Sequence, residues 1–223
     1  MLDLGEKLRD ARLNQNLSLR ELAARAELSA SLLSQIENGK ANPSVRSLHS
    51  IADALSLPMD YFFPNKNGDK KEIELSSDAA PHRVTTSGIH ASQAAALIEK
   101  IVFDLVDESE QSLNAPVVRA QARPSIELEG GVTWARLTPG SEERIEFLYI
   151  RYEVGARSGA KMSRHNGREF TLVLEGELLL ELGFESYLLK PGDSIIFDST
   201  TPHRLTNVGS ILMHAVSVMF NRD

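Results

Sequence analysis

The chain has 223 residues, 42% of them hydrophobic, enough for one large or two small domains with buried cores, and no cysteine, which excludes disulfides, thiolate metal sites and cysteine nucleophiles. The formal net charge of −7 is uneven: residues 1–62 carry 7 Lys and Arg against 8 Asp and Glu, so the acidity lies mainly beyond them, and a reader of duplex DNA needs a local basic face rather than a basic total. Charges interrupt every apolar run of the opening MLDLGEKLRD, which is no secretory signal, and nowhere does an apolar run reach membrane-spanning length; a cytoplasmic location is expected, without membrane association.

Four short helical patterns fill the first 62 residues. Leu4, Leu8 and Ala11 share a face in the first, and Leu19, Leu22, Ala23 and Ala26 form a stripe in the second. Leu32, Leu33 and Ile36 serve the third; Val45, Leu48, Ile51, Ala52 and Leu55 serve the fourth. A last turn around Met59, Phe62 and Phe63 closes an expected five-helix bundle over residues 1–63. Ser18 with Glu21 reads as a capping box, Ser29 as a cap of the third helix, Gly39 as its end, and Pro43 as a signal just ahead of the fourth. Residues 64–116 open with the polar, turn-rich Pro64-Asn65-Lys66-Asn67-Gly68 and read as a linker. Within it, residues 91–108 have the spacing of an amphipathic helix through Ala94, Leu97, Ile98, Ile101 and Leu105.

From residue 117 to the end the period is that of strands. Short β-type runs fall at 132–137, 145–153, 170–174, 178–182, 187–189, 194–197 and 211–220, punctuated by Gly140, Gly155, Asn166-Gly167, Gly183 and Pro191-Gly192. Many short strands at this spacing predict an all-β sandwich or barrel. The fold class is therefore multidomain, α then β.

Two short helices at 18–26 and 29–38 joined by a tight turn have the dimensions of a helix-turn-helix. The run LSLRELAARAELSASLLSQIENGKANPS, with Ala23, Ala24, Ser34-Gln35-Ile36-Glu37-Asn38-Gly39-Lys40 and Pro43-Ser44, resembles the Xre-type, phage-repressor-like helix-turn-helix family over roughly the first 62 residues. Ala23 lets the two helices approach, while Leu22, Leu33 and Ile36 hold their angle. The outer face of 29–38 is then left for the major groove. The resemblance places Ala30, Ser31 and Gln35 at base edges, and Arg20, Ser29, Asn38 and Lys40 at phosphates or flanking positions. Arg25 and Arg46 read as solvated surface charges.

The second half carries two blocks that resemble the paired motifs of cupins. His165 is followed by three residues and then by Glu169, and later by Gly176; Pro191-Gly192-Asp193 is followed by Pro202-His203 and Asn207. The resemblance implies a jelly-roll barrel over 117–223. If Asn166-Gly167-Arg168 is a hairpin connection, His165 and Glu169 lie opposite each other on one face, and His203 joins them. Two imidazoles and a carboxylate are a ligand set suited to Fe, Mn, Ni or Zn; without metal, the same groups make a hydrogen-bonded polar pocket. Ser163 stands where metal-binding cupins usually have another histidine, and Asp198 and Thr200 replace a proline and a glycine of the second motif. Trp134, Tyr149, Arg151, Thr171, Val173 and Phe197 are candidates to line a small-molecule pocket. His49, His82 and His90 carry no signal, and His214 reads as a satisfied barrel histidine.

The combined resemblance implies a homodimeric transcriptional regulator that binds double-stranded DNA and senses a small-molecule effector, with no catalytic residue assigned. The alternative implied by the same triad beside a helix-turn-helix is the mononuclear iron epoxidase acting on hydroxypropylphosphonate, in which His165, Glu169 and His203 would hold Fe(II).

Overall fold

Ser18 and Ser29 set the start of the two helices that matter most. A computed structural model describes residues 4–64 and 116–220. In it the Ser18 hydroxyl accepts from the Glu21 amide while the Glu21 carboxylate accepts from the Ser18 amide, a complete capping box. The Ser29 hydroxyl accepts from the Leu32 amide. Four α-helices result: α1 (Leu4–Asn14), α2 (Leu19–Arg25), α3 (Ala30–Glu37) and α4 (Val45–Leu55). The expected fifth helix is instead a single 3-10 turn, Met59–Phe62. Pro58 precedes it and Pro64 follows it, leaving too little chain for an α-helical nucleus. Leu8, Leu22, Leu33, Ile36, Leu48, Ile51, Leu55 and Phe62 are buried in one core. A buried ion pair also ties α1 to α3. Arg12 donates from Nε and Nη2 to the two carboxylate oxygens of Glu37, at 2.6 and 2.9 Å, and from Nη1 to the Leu17 carbonyl.

Nine antiparallel strands follow: β1 (Ser125–Leu128), β2 (Val132–Arg136), β3 (Ile145–Tyr152), β4 (Arg168–Glu175), β5 (Leu178–Leu182), β6 (Glu185–Leu189), β7 (Ser194–Asp198), β8 (His203–Asn207) and β9 (Met213–Phe220). They form a six-stranded sheet in the order β1-β2-β3-β9-β4-β7 and a three-stranded sheet in the order β6-β5-β8. Alternation is clean in β3, where Leu148, Ile150 and Tyr152 point into the core, and in β9, where Met213, Ala215, Ser217 and Met219 do. Gly176, between β4 and β5, has φ +78, and a Cβ there would lie 2.8 Å from the Met213 Cα. Only glycine satisfies both the conformation and the approach. The runs expected at 132–137, 145–153, 170–174, 178–182, 187–189, 194–197 and 211–220 all contain strands; β1 and β8 are additional. Asp198 and Thr200, in place of proline and glycine, still build the turn after β7, because the Asp198 carboxylate accepts from the Thr200 amide and hydroxyl.

Helices and strands belong to one compact unit. Arg136 of β2 donates from Nη1 to both carboxylate oxygens of Asp60 at 2.8 and 2.9 Å, and both side chains are buried. The Arg46 amide donates to the Ser158 carbonyl, and the Glu129 amide to the Pro43 carbonyl. The expected helix at 91–108, His82 and His90 lie outside the described residues. Among the described residues, no helix is long and apolar enough to cross a membrane.

Candidate functional site

The outward face of α3 is the first site. Ser31 and Gln35 are exposed and Ala30 is half-buried, one helical turn from Leu33 and Ile36 on the core side. Arg20, on α2, is exposed, as are Ser29, Asn38 and Lys40 around the two ends of α3. Two of these have local work as well. Ser29 caps the helix as an acceptor and keeps its hydroxyl proton for another acceptor. Asn38 donates from Nδ2 to the Ser34 carbonyl at 2.6 Å, closing the last turn. Arg46 is half-buried, with Glu27 at 3.9 Å.

The second site lies inside the barrel. His165 Nε2 is 2.7 Å and His203 Nε2 is 3.2 Å from the same oxygen of Glu169, Oε1. All three side chains are buried, and one ligand atom from each lies within 4.8 Å of the others. The route to this geometry differs from the expected hairpin. No strand precedes Asn166-Gly167: His165 sits on an irregular segment that hydrogen-bonds to the Ser199 carbonyl, with Ser163 bridged to His203. Glu169 lies on β4 opposite Phe197 of β7. The cluster is therefore assembled from three separate parts of the barrel.

Hydrogen-bond bookkeeping defines what the cluster can hold. His203 Nδ1 is 2.9 Å from the Thr201 carbonyl and His165 Nδ1 is 3.3 Å from the Asn166 carbonyl. A carbonyl only accepts, so each Nδ1 carries the proton and each neutral ring turns its Nε2 lone pair toward Glu169. Three lone-pair donors then converge on one point. Either the rings take up further protons or a cation satisfies all three, so the donor set fits a divalent metal. Without a cation, protons on the two Nε2 atoms donate to Glu169: burial disfavours its charge, but these hydrogen bonds from His165 and His203 outweigh it and hold the carboxyl well below the usual range. Burial likewise pulls His165 down, and the Glu169 hydrogen bond and charge raise it above its ordinary value.

The cavity beside the cluster has a volume of about 10 Å³, room for a single water. Trp134, Ile150, Tyr152, Ser217 and Met219 line it from one sheet. Of the expected lining residues, Trp134 is on that wall. Thr171, Val173 and Phe197 point into the interior, Thr171 sharing a hydrogen bond with Ser217 and Phe197 packing 5.1 Å from the His203 ring. Tyr149 and Arg151, expected in the lining, face away from it. Their neighbours Leu148, Ile150 and Tyr152 face inward, so the alternation turns both residues out, Tyr149 onto Nδ1 of His214 at 2.6 Å.

Two partial matches to protein families fall one on the helices and one on the strands. Residues 8–62 match the helix-turn-helix family and residues 148–219 the cupin domain. The transcriptional regulator ClgR of Mycobacterium tuberculosis (strain ATCC 25618 / H37Rv) is 36% identical over 90 residues, which cover 40% of this chain and 80% of that one. The chain is a helix-turn-helix transcriptional regulator with a cupin domain. The regulator is also similar from end to end to the HTH-type transcriptional regulator PuuR of Escherichia coli (strain K12), 22% identical over 96% of this chain and 92% of the relative. A solved HTH_3 family transcriptional regulator from Vibrio cholerae shares the fold with TM-score 0.59 and 18% identity, covering 99% of this chain and 96% of that one.

Sequence reasoning missed one member of the regulator's barrel site. His49 of α4 is buried, stacked face to face on His165 with centroids 4.2 Å apart and planes 3° from parallel, and set edge-on to Trp134 at 5.8 Å. Val45, one turn earlier, also lines the cavity. Burial, then the neighbouring His165, holds the His49 imidazole well below its ordinary pKa. In sequence His49 is a polar residue inside a helical stripe, and nothing local marks it. The one available hint was its position between Leu48 and Ile51, close to the apolar face.

Proposed function

We propose that the regulator reads double-stranded DNA as a homodimer through α3 and senses a small molecule in its barrel. In this reading residues 1–63 form the DNA-binding part and residues 117–223 the sensor. Gln35 bonds an adenine edge in bidentate fashion, Ser31 and Ala30 contact neighbouring bases, and Arg20, Ser29, Asn38 and Lys40 hold phosphates. Two heads would sit on half-sites about 34 Å apart. The outer face of the six-stranded sheet supports a second copy. Phe147 of β3, Phe170 and Leu172 of β4, Ile196 of β7 and Phe220 of β9 are all at least 37% exposed on adjoining strands, an apolar patch of the kind that marks an interface.

His165, Glu169 and His203 would hold the divalent metal, which would supply a Lewis-acidic anchor for an effector's oxygen or nitrogen. Trp134, Ile150, Tyr152 and Ser217 would shape the space next to it. The observation that carries the sensor reading is the convergence of three buried ligand atoms within 4.8 Å inside a barrel. The cavity beside the triad takes no more than a water while α4 is in place.

Selection of binding sites from a random duplex library by purified protein, at near-physiological salt, tests the DNA reading. Enrichment of a palindromic site is expected. Absence of enrichment by folded protein, wild type and the Asp60→Asn variant that loosens the Arg136 pair alike, with Fe, Mn, Ni and Zn each supplied, would overturn it and leave the iron-enzyme alternative to be assayed.

A further inference from the structure

The barrel is closed by the DNA-binding part of the same chain. Of the residues lining the cavity at the triad, all but two come from the barrel; the exceptions are Val45 and His49 of α4. His49 lies flat on His165, covering the ligand histidine from outside the barrel. Three further contacts hold α4 and its flanks down: the buried Arg136–Asp60 pair, the Arg46 amide on the Ser158 carbonyl, and the Glu129 amide on the Pro43 carbonyl.

The recognition helix faces the barrel at the same time. Leu32 and Gln35 of α3 share a cleft of about 710 Å³ with the β1–β2 hairpin and the end of β3, where Glu127, Glu129 and Glu153 stand exposed. The major groove that would take α3 is about 12 Å wide and carries phosphates on both rims, so a duplex brought to Gln35 would meet this hairpin. The three carboxylates, offset in part by Arg151 in the same cleft, add like-charge repulsion.

Resting on the reading that the barrel takes a small molecule, we propose that α4 is the plug of the effector site and that the docked arrangement is the DNA-silent state. An organic molecule larger than a water reaches the triad only by lifting Val45 and His49 out of the mouth. The same movement carries α3, joined to α4 by a short loop at residues 38–44, away from the acidic hairpin. Effector and docked head are thus mutually exclusive, which provides the differential affinity a ligand needs to shift a two-state equilibrium.

The chain offers its own reporters. Trp134, its only tryptophan, lies under His49, and there is no cysteine to interfere with a cross-link. A Cβ placed on Gly159 would be 3.3 Å from the Arg46 Cβ, a few tenths of an ångström short of disulfide range. With a shift of that size, the full-length double variant Arg46→Cys/Gly159→Cys should oxidise and pin α4 to the barrel. Acrylamide, a small neutral amide, is the access probe for Trp134 fluorescence, and the selected duplex is the DNA probe. Oxidation should lower the quenching constant and the duplex affinity, each by about tenfold or more, and reduction should restore both. Asp60→Asn, which removes the carboxylate facing Arg136, should move both readouts the opposite way. Equal quenching in the oxidised and reduced states, whether high or low, overturns the plug. Failure of the pair to oxidise overturns the docked geometry itself. Lower quenching with unchanged duplex affinity overturns the DNA-silent assignment. Absence of duplex binding by the reduced protein and by Asp60→Asn alike, with the quenching change present, overturns the regulator reading while the plug stands.

Discussion

Replacing Glu37 by alanine probes the feature on which the DNA-binding head most depends. Arg12 and Glu37 form two parallel charge-assisted bonds, 2.6 and 2.9 Å long, and their side chains are only 9% and 4% exposed. Glu37→Ala leaves a guanidinium buried between α1 and α3 with the Leu17 carbonyl as its remaining partner among these contacts. Stranding one member of a buried pair costs about 3–5 kcal/mol, a large fraction of the roughly 5–15 kcal/mol that holds a typical domain folded. Glu37→Gln keeps the shape and one acceptor and should cost less, about 1.5–3 kcal/mol. Urea unfolding followed by the helical circular dichroism signal would measure both, with duplex binding as a second readout that falls in parallel. The double variant Arg12→Met/Glu37→Leu is the decisive control. Replacing both partners with apolar groups of similar size removes the stranded charge, so stability should return to near wild type. A loss below about 1 kcal/mol for Glu37→Ala is the range of solvated pairs and would refute the argument.

Gln35→Ala should weaken specific binding by about 1–3 kcal/mol in a competition assay and leave binding to unrelated duplex unchanged; uniform loss on all sequences would remove Gln35 from base reading. His165→Ala should abolish metal retention measured by elemental analysis of dialysed protein, with duplex affinity preserved. In the wild type, a metal competes with the proton that Glu169 helps to hold on His165, so metal affinity should climb as pH rises through the raised His165 ionisation and level off above it, readable by competition with a chelator. Phe170→Glu, at the centre of the exposed apolar sheet face, should shift sedimentation from dimer to monomer; an unchanged dimer would place the interface elsewhere.

Much of the helical head is legible in sequence because its determinants are local. Ser18 and Glu21 announce the start of α2 within four residues, and the stripe Leu19, Leu22, Ala23 and Ala26 fixes the buried side with no knowledge of what covers it. The short turn at Met59 is less legible, since the apolar content of Met59, Phe62 and Phe63 says they are buried but not that the backbone between two prolines is 3-10. In the barrel, the motif spacing of His165, Glu169 and His203 is legible as chemistry, whereas the path that unites them is not. Gly167 suggested a hairpin, but strand pairing is a long-range choice, and β4 pairs instead with β7 and β9. The inward side of β3 is ambiguous for the same kind of reason. The run Phe147-Leu148-Tyr149-Ile150-Arg151-Tyr152 carries large side chains on both faces, because its outer face is apolar too, and only the partner strands decide that Leu148, Ile150 and Tyr152 go in.

His49 marks where local reading stops. Helical periodicity in α4 places it beside the buried stripe of Val45, Leu48, Ile51 and Ala52, where a histidine is ordinarily a tolerated edge residue. Its burial comes from a surface contributed by residues more than 80 positions later, Trp134 and His165. The physical content of that placement is considerable. An imidazole held against a second imidazole is favourable only while at least one ring is neutral, and burial keeps His49 neutral. The neutral ring therefore serves as a flat, polarisable cover for His165, and a charged residue such as lysine or glutamate at position 49 would prise α4 from the barrel mouth. The head is thus docked by the histidine and Val45 on one side and by the Asp60–Arg136 pair on the other. These contacts are few enough to be exchanged for a ligand's, which is the energetic condition for a switch rather than a permanent fusion of the two parts.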